Sequence, residues 1–196
     1  MSGPAERELL QLEAIVARAV EIVDEGGAEA LSLRSLARDL GVSAPALYNH
    51  IRSKDDLLRL VAGEGYGKLA EQWTNLDPAD HEAWIRASSH AYVAFALERP
   101  GLFALMFRYR PAFIEGPGEV EDPVATAVFQ QALAVVERAT ADGVLKSAPP
   151  LELALGLWAA SHGVATVLSM SPGLTKELWL VDLVIDGLLA GWKEPP

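Results

Sequence analysis

Cysteine is absent from this sequence of 196 residues. Without thiols the chain forms no disulfide and no cysteine-ligated metal site, and nothing in it indicates an oxidising compartment. No apolar run approaches a membrane span in length, because the longest, near residues 153–160, is interrupted by Gly156. The first ten residues are acidic and hold no apolar segment of signal-peptide length. We therefore expect a soluble, cytoplasmic protein with no membrane partner.

Known catalytic and metal-binding patterns are also missing. His81-Glu82 lacks the second histidine, four residues on, that a zinc-protease helix needs. Ser88 to His90 and Ser161-His162 each bring a hydroxyl next to an imidazole, but adjacent residues of a helix do not face each other. A Gly-x-Ser-x-Gly sequence is not present. We expect no enzyme, no metal site and no cofactor.

Strand-like alternation of apolar and polar residues is absent as well. Apolar residues instead recur at helical spacing, in segments separated by glycine and proline. Asp77, ahead of Pro78, is the expected N-cap of the fifth helix. We predict an all-α fold of about nine helices, with two short helices between residues 32 and 51 and the others at residues 6–25, 54–73, 77–98, 102–108, 123–141, 149–170 and 174–192.

The stretch from Leu31 to Leu58 has the pattern of a helix-turn-helix. Four apolar residues share one face of its first helix, Ser32 is a suitable N-cap, and Gly41 permits the sharp turn that ends the helix. Ser43 then caps a second helix, with Pro45 in its first turn. Ser53 and Asp56 form a capping box for the next helix. The apolar residues that hold this unit together are Leu33, Leu36, Ala37, Leu40, Leu47 and Ile51.

The second helix of this unit leaves small and polar side chains outside. Small residues let a helix backbone approach base edges, Asn49 can pair with adenine, and Tyr48 can reach a phosphate. Periodicity alone leaves open a plain three-helix core with solvated polar residues. If the unit binds DNA, the contacts are expected from Ser32, Arg34, Ser43, Ala44, Pro45, Ala46, Tyr48, Asn49, His50 and Lys54.

These residues resemble the DNA-binding domain of the TetR family of bacterial regulators, over roughly residues 6–60. Ile51 stands where the family most often has an aromatic residue, and an aliphatic side chain there still suits the core. The match consists of Leu33-x-x-Leu36-Ala37-x-x-Leu40-Gly41-Val42-Ser43 and then Leu47-Tyr48-x-His50-x-x-x-Lys54-x-x-Leu57-Leu58.

The resemblance implies a homodimeric, ligand-responsive transcriptional regulator, in this family more often a repressor. Residues 1–60 would bind a palindromic double-stranded DNA operator, and residues 61–196 would dimerise and bind a small-molecule effector. An effector would then favour a state with wrongly spaced recognition helices. Two alternatives stay open: a dimeric DNA-binding protein without an effector, and an enzyme on this scaffold, for which no catalytic group is found.

The charge distribution agrees with binding to a defined site. The net charge of −11 argues against a general nucleic-acid binder. Residues 1–60 hold seven basic and ten acidic residues, yet the part from Arg34 to Arg59 holds five basic residues against three acidic ones. The positive charge is therefore local, and we expect weak binding to non-specific DNA.

Aromatic residues cluster in the fifth to seventh helices, where the resemblance implies an effector pocket. Trp158 and His162 lie four residues apart and resemble the Trp–His–Gly region of one group of TetR-type C-terminal domains. Ordinary core packing explains these aromatic residues equally well. Tyr109 is a further candidate for a polar group in the pocket. A small, largely apolar effector is expected to contact Trp84, Ser88, Tyr92, Phe103, Met106, Phe107, Phe129, Trp158 and His162.

Apolar stripes on the last two helices predict a four-helix dimer interface. The alternative is that both stripes face the core of their own chain. The predicted interface residues are Leu157, Ser161, Val164 and Leu168 on the eighth helix and Leu178, Val181, Ile185, Leu188 and Trp192 on the ninth.

Three glycines interrupt the fourth predicted helix at positions 63, 65 and 67. Gly67-Lys68 is followed by Leu69, so the phosphate-binding pattern ending in Gly-Lys-Ser/Thr is not met. Glycine inside a helix costs about 1 kcal/mol relative to alanine. The glycines therefore indicate either a pliable link or close packing against another helix, and the sequence favours neither.

Overall fold

The computed structural model describes residues 4–109, 122–146, 148–170 and 178–193, with side chains from Gln11 onward. This part of the chain contains nine α-helices, one 3-10 helix (Ala28–Ala30) and no strand. The all-α prediction is confirmed. The helices are α1 (Pro4–Gly26), α2 (Leu33–Asp39), α3 (Ala44–Leu47), α4 (Lys54–Glu71), α5 (His81–Glu98), α6 (Pro100–Met106), α7 (Pro123–Ala141), α8 (Pro150–Met170) and α9 (Trp179–Trp192).

The start of α5 differs from the prediction. Asp77 does not cap this helix, because its carboxylate accepts the backbone N–H of Ala79 at 2.9 Å and closes a turn before it. Asp80 is the cap: its side chain accepts the N–H of Ala83 at 3.2 Å. Two aspartates three residues apart both suit a cap, so local sequence could not choose between them. The first residues predicted for the ninth helix, 174–177, lie outside the described part.

The chain divides into two compact units. One consists of Met1–Gly67 and Arg99–Ala125, and the other of Lys68–Glu98 and Thr126–Pro196. The division differs from the predicted boundary at residue 60, because α6 belongs to the same unit as the N-terminal helices. The functional division into residues 1–60 and 61–196 stays a prediction.

The first unit is built around the inner face of α1. Val23 and Ala19 on α1 are fully buried, as are Leu36 and Leu47 of the next helices. Burial of a leucine side chain contributes about 1.5–3 kcal/mol, so these contacts hold α2 and α3 in place. α6 packs on α1, and Arg99 at its start forms an ion pair with Asp24 of α1.

α4 continues through all three glycines, and Gly65 shows why one of them is needed. A Cβ atom on Gly65 would lie 2.8 Å from Sδ of Met106 and 3.1 Å from Cγ of Leu102. Both neighbours belong to α6, so the missing side chain permits close packing of α4 and α6. At Gly67 no such neighbour lies within 4 Å. The structure thus favours close packing as the role of Gly65.

The second unit is organised around α5, which packs against both α8 and α9. Its inner face carries fully buried residues such as Ile85 and Phe95. Two contacts join α5 to α9: an ion pair of Arg86 with Asp186 at 2.7 Å, and a hydrogen bond between Nε2 of His90 and Asp182 at 2.6 Å. These contacts are partly solvent-exposed and orient the helices more than they stabilise them.

The predicted dimer residues are corrected by this packing. Ile185 is 1% exposed in the single chain, so the apolar stripes chosen for the interface face their own core instead. The alternative, that both stripes face the core of their own chain, was therefore correct. The prediction failed because α8 and α9 are apolar nearly all round, so spacing cannot show which face meets α5. The wrongly placed residues are Leu157, Ser161, Val164, Leu168, Val181 and Ile185. Leu178, Leu188 and Trp192 are half-buried, and for them the prediction stays open.

One described helix, α8, has the length and apolar composition of a membrane span, although the sequence had suggested none. Only 39% of that apolar window is buried. Because α8 packs against α5 and α9 and buries Leu153, Leu157 and Leu168, it has the contacts of a core helix. Composition alone is therefore weak evidence for a membrane location.

Candidate functional site

The turn between α2 and α3 is fixed by caps and one glycine. The hydroxyl of Ser32 accepts the N–H of Ser35 at 3.5 Å, and that of Ser43 accepts the N–H of Ala46 at 3.3 Å. Gly41, with φ of +69°, adopts the left-handed conformation that favours glycine. Both predicted caps and the turn residue are confirmed, and together they set the direction of α3.

α3 separates an apolar side from a polar side. Leu47 and, just beyond the helix, Ile51 are each 1% exposed and pack into the first unit. Tyr48 is 56% exposed, and Asn49 is also exposed. Among the other predicted contacts, Ser32, Arg34, Ser43 and Pro45 are exposed, while Ala44, Ala46, His50 and Lys54 are half-buried. Each of the predicted DNA-binding residues is thus at least partly exposed, and their roles stay predictions.

The first turn of α4 adds charged groups beside this surface. Ser53 accepts the N–H of Asp56 at 3.0 Å, as the capping box predicts. The carboxylate of Asp56 accepts the N–H of Arg52 at 2.9 Å and pairs with Arg59 at 3.3 Å. Within the described residues no carboxylate lies within ion-pair distance of Lys54, so its ammonium group is available to an external anion.

A second candidate site lies in the other unit, where four of the predicted effector residues meet. The indole N–H of Trp158 donates to the Tyr92 hydroxyl at 3.0 Å, and this hydroxyl lies 3.0 Å from Nδ1 of His162. Phe129 packs edge-on against Trp158, with ring centroids 6.0 Å apart. The sequence predicted the members of this group, which we call the Tyr92 cluster (Tyr92, Phe129, Trp158 and His162).

The hydrogen bonds of the Tyr92 cluster connect three side chains. Trp158 donates to the Tyr92 oxygen, and the same hydroxyl forms a hydrogen bond with Nδ1 of His162. Burial lowers the pKa of His162 and so favours its neutral imidazole at neutral pH. The cluster can therefore present polar groups next to aromatic rings, as binding sites for small molecules do.

The other predicted effector residues lie elsewhere. Ser88 is buried and donates to the carbonyl of Ile85 at 3.1 Å, and Trp84 packs edge-on against Trp73 at 5.5 Å. Three more belong to the first unit: Met106 is fully buried there, and Phe103 and Phe107 form an edge-on pair at 4.8 Å. The single aromatic cluster expected from the sequence is thus distributed over both units, because helix order does not fix tertiary contacts.

Tyr109, considered above as a polar pocket residue, instead bonds within the first unit. Its hydroxyl donates to Oδ1 of Asp55 at 3.0 Å, and its ring is buried. The hydroxyl of Tyr66 lies 3.1 Å from the carbonyl of Met106 and 3.2 Å from that of Tyr109. Burial, with a smaller effect from the charge of Asp122, raises the pKa of Tyr66, which therefore remains a donor. Sequence analysis missed the Asp55 contact.

An open depression of about 710 Å³ lies at the start of α5. Asp77, Asp80 and Glu82 line it, and His81 lies beside them with Nε2 2.8 Å from Asp142. This lining is acidic and includes none of the predicted effector residues. It does not suit the largely apolar ligand that the sequence predicts.

Two protein-family models match this chain. Residues 15–61 match the model described as bacterial regulatory proteins, tetR family. Residues 85–175 match the model described as the C-terminal domain of tetracyclin repressor-like proteins. The first match contains the helix-turn-helix, and the second contains the Tyr92 cluster.

Curated relatives carry the same kind of name. The chain is 34% identical over 90 residues to the uncharacterized HTH-type transcriptional regulator YobS of Bacillus subtilis, which covers 45% of this chain and 47% of that protein. It is 28% identical over 155 residues to an uncharacterized HTH-type transcriptional regulator of Mycobacterium tuberculosis, and this match covers 79% of this chain and 68% of that protein. The chain thus spans about half of the first relative and two thirds of the second.

Solved structures share the fold. A Rhodococcus protein of unknown function is 28% identical, with a TM-score of 0.79 and coverage of 93% of this chain and 95% of that one. FadR from Bacillus subtilis, in complex with stearoyl-CoA, is 13% identical, with a TM-score of 0.65 and coverage of 91% and 98%. AibR, in complex with isovaleryl coenzyme A and operator DNA, is 15% identical, with a TM-score of 0.57 and coverage of 94% and 99%.

Proposed function

Since this chain belongs to the TetR family of bacterial transcriptional regulators, we propose that it is a homodimeric repressor that leaves a palindromic operator when a small molecule binds. DNA binding and transcriptional regulation follow from the family. The repressor role, the effector and the dimer are parts of the proposal, and so is a cytoplasmic location.

The burial pattern at the end of α3 supports DNA binding most strongly. Leu47 anchors the helix in the core, while Tyr48 and Asn49, which follow it directly, are exposed. We assign Tyr48 and Lys54 to phosphates, because a hydroxyl and an ammonium group bind phosphate without reading sequence. Arg34 and Asn49 are assigned to base edges, where a guanidinium recognises guanine and an amide recognises adenine.

A second copy of the chain supplies the other half of the interface with DNA. One α3 reads few base pairs, and a two-fold dimer places two such helices about 34–36 Å apart, one turn of DNA. The proposed dimer face is the exposed side of α8 and α9, opposite to the side that packs on α5. It carries large exposed apolar residues next to small ones, namely Gly163, Val167 and Met170 on α8 and Trp179, Leu183 and Gly187 on α9.

Charge and exposure favour a second copy as the occupant of this face. Leu183 is 62% exposed and Met170 is 72% exposed, which is unusual for large apolar residues on helices of an isolated chain. Glycine at positions 163 and 187 leaves room for another helix to approach closely. The carboxylate of Asp186 already pairs with Arg86, and that of Asp182 forms a hydrogen bond with His90, so both are engaged by α5.

The effector is proposed to contact the Tyr92 cluster. The cluster combines aromatic rings with hydrogen-bonding groups, so a small, largely apolar molecule with one polar group suits it. Two proteins of the same fold hold acyl-CoA ligands, which supports small-molecule binding in general but not a particular compound here.

The test starts from DNA and then turns to the effector. Duplexes that the full chain enriches from a randomised library are expected to contain inverted repeats. A panel of small apolar compounds is then added to the protein–DNA complex, and release is followed by fluorescence anisotropy. We expect one compound class to release DNA from the parent protein and to do so less well from a Tyr92→Phe variant.

Failure of each stage has a separate meaning. If no duplex is enriched, the DNA-binding proposal is wrong. If an inverted repeat is enriched but no compound releases it, the protein is instead a dimeric DNA-binding protein without an effector, which is the second candidate function.

A further inference from the structure

The start of α4 places negative charge beside a proposed phosphate contact. Lys54 is the first residue of the helix, and Asp55 and Asp56 follow it. Acidic residues stabilise an isolated helix at this end, because they offset the positive end of its dipole. The same carboxylates would oppose DNA if they lay next to the Lys54 ammonium group, since they would compete with phosphate for it.

Each carboxylate is held by a partner other than Lys54. Asp56 accepts the N–H of Arg52 and pairs with Arg59. Asp55 accepts the hydroxyl of Tyr109 at 3.0 Å, across 54 positions of sequence. The carbonyl of Asp55 lies 3.4 Å from the same hydroxyl, so the phenol is directed at both acceptors of one residue.

Tyr109 is itself fixed in position. Its side chain is 4% exposed, and its backbone carbonyl lies 3.2 Å from the hydroxyl of Tyr66 on α4. A buried phenol with an anchored backbone keeps one direction for its O–H group. Asp55 is exposed and would otherwise adopt several rotamers.

We infer that Tyr109 is a positioning residue for DNA binding, which holds the carboxylate of Asp55 away from the Lys54 ammonium group so that this group can bind a DNA phosphate. The inference rests on the phosphate role of Lys54 under the proposed function. Without the Tyr109 hydroxyl, the Asp55 carboxylate becomes free to pair with Lys54 or to cap the exposed N–H groups of α4. Either contact uses a group that phosphate needs.

A double-mutant cycle tests this inference. Operator affinity is measured for the parent, Tyr109→Phe, Asp55→Asn and the double variant, on a duplex enriched by the parent, at three salt concentrations. Tyr109→Phe should weaken binding about fivefold, the order of one charge interaction near a surface, and should reduce the salt slope. In the Asp55→Asn background the same change should alter affinity less than about twofold, because no carboxylate is released.

Ser89→Ala is the control. It removes a buried hydroxyl, which donates to the carbonyl of Ile85 on α5, and it touches neither Tyr109 nor Asp55, so its effect should be equal in both backgrounds. Unfolding in urea shows whether each variant is folded under the binding conditions. The inference is overturned if Tyr109→Phe lowers operator affinity equally in the parent and in the Asp55→Asn background, or in neither.

The cycle separates this inference from the function on which it depends. If Lys54→Ala binds the enriched duplex as the parent does, the phosphate contact itself is wrong. If Lys54→Ala weakens binding but Tyr109 and Asp55 show no coupling, only the positioning role is wrong, and the DNA-binding proposal stands.

Discussion

Leu47 is the last residue of α3 and Tyr48 is its C-cap, yet the first is 1% exposed and the second 56% exposed. A helix turn of about 100° per residue separates adjacent side chains enough for one to face the core and the next to face solvent. Leu47 thus fixes the direction in which Tyr48 and Asn49 project. Any DNA that meets this surface meets side chains whose orientation is set by the core.

Lys54→Ala tests the phosphate contact. We expect weaker binding to all DNA sequences and a salt slope reduced by about one unit, because one fewer counterion is released. The measurement is operator affinity as a function of salt concentration. Lys68→Ala, at the far end of α4, is the control and should leave the slope unchanged. An unchanged slope in Lys54→Ala would show that Lys54 binds no phosphate.

Gly65→Ala tests close packing between α4 and α6. The added methyl group would meet Met106 and Leu102, so we expect a loss of about 1–3 kcal/mol in the free energy of unfolding. Gly67→Ala has no neighbour within 4 Å and should instead gain up to about 1 kcal/mol from helix propensity. The free energy of unfolding of both variants is measured by urea denaturation. Equal stabilisation by the two changes would mean that Gly65 is not needed for packing.

Leu183→Asp tests the proposed dimer face. The side chain is exposed in the single chain, so the variant should fold, while a charge in the face should prevent dimerisation and reduce operator affinity. Leu151→Asp is the control, because Leu151 is also exposed but lies about a third of a turn from Gly163 around α8. Sedimentation velocity measures the mass. A monomeric parent, or a dimeric Leu183→Asp variant, contradicts this face.

His162→Gln tests the neutral imidazole in the Tyr92 cluster. The pKa of His162 is lowered in the folded chain by burial, so the unfolded chain takes up the proton first as the pH falls. The contribution of His162 to stability is therefore present above about pH 6.5, the ordinary histidine pKa, and is lost below it. We expect the stability difference between parent and variant to shrink from pH 7.5 to pH 5.5 in urea unfolding. A constant difference would contradict a lowered pKa.

Local features of this fold were predictable because neighbouring residues determine them. The caps at Ser32 and Ser43 and the turn at Gly41 each depend on a hydroxyl or a missing side chain within three residues of the helix end. The family resemblance implied the same count of nine helices that the apolar spacing predicts. Even at this level Asp77 was chosen over Asp80, because both have the right chemistry for a cap.

Long-range relationships were not predictable from spacing. Ile185 was assigned to a dimer interface because it recurs with Val181 at helical spacing, yet that side of α9 packs on α5. Apolar residues on both sides of α8 and α9 give the same period for the core and for an interface. The contact of Tyr109 with Asp55 joins two segments 54 residues apart, and no local pattern marks it.

Asn49→Ala provides the most direct test of the central claim, that α3 and the turn after it read an operator. Binding of the parent and the variant is compared on the enriched duplex and on every single-base substitution of one half-site. We predict that the variant loses discrimination of about 1–3 kcal/mol at one position in each half-site, while the other positions keep theirs. If the variant discriminates at every position as the parent does, Asn49 does not read a base, and recognition by α3 and the turn after it is contradicted.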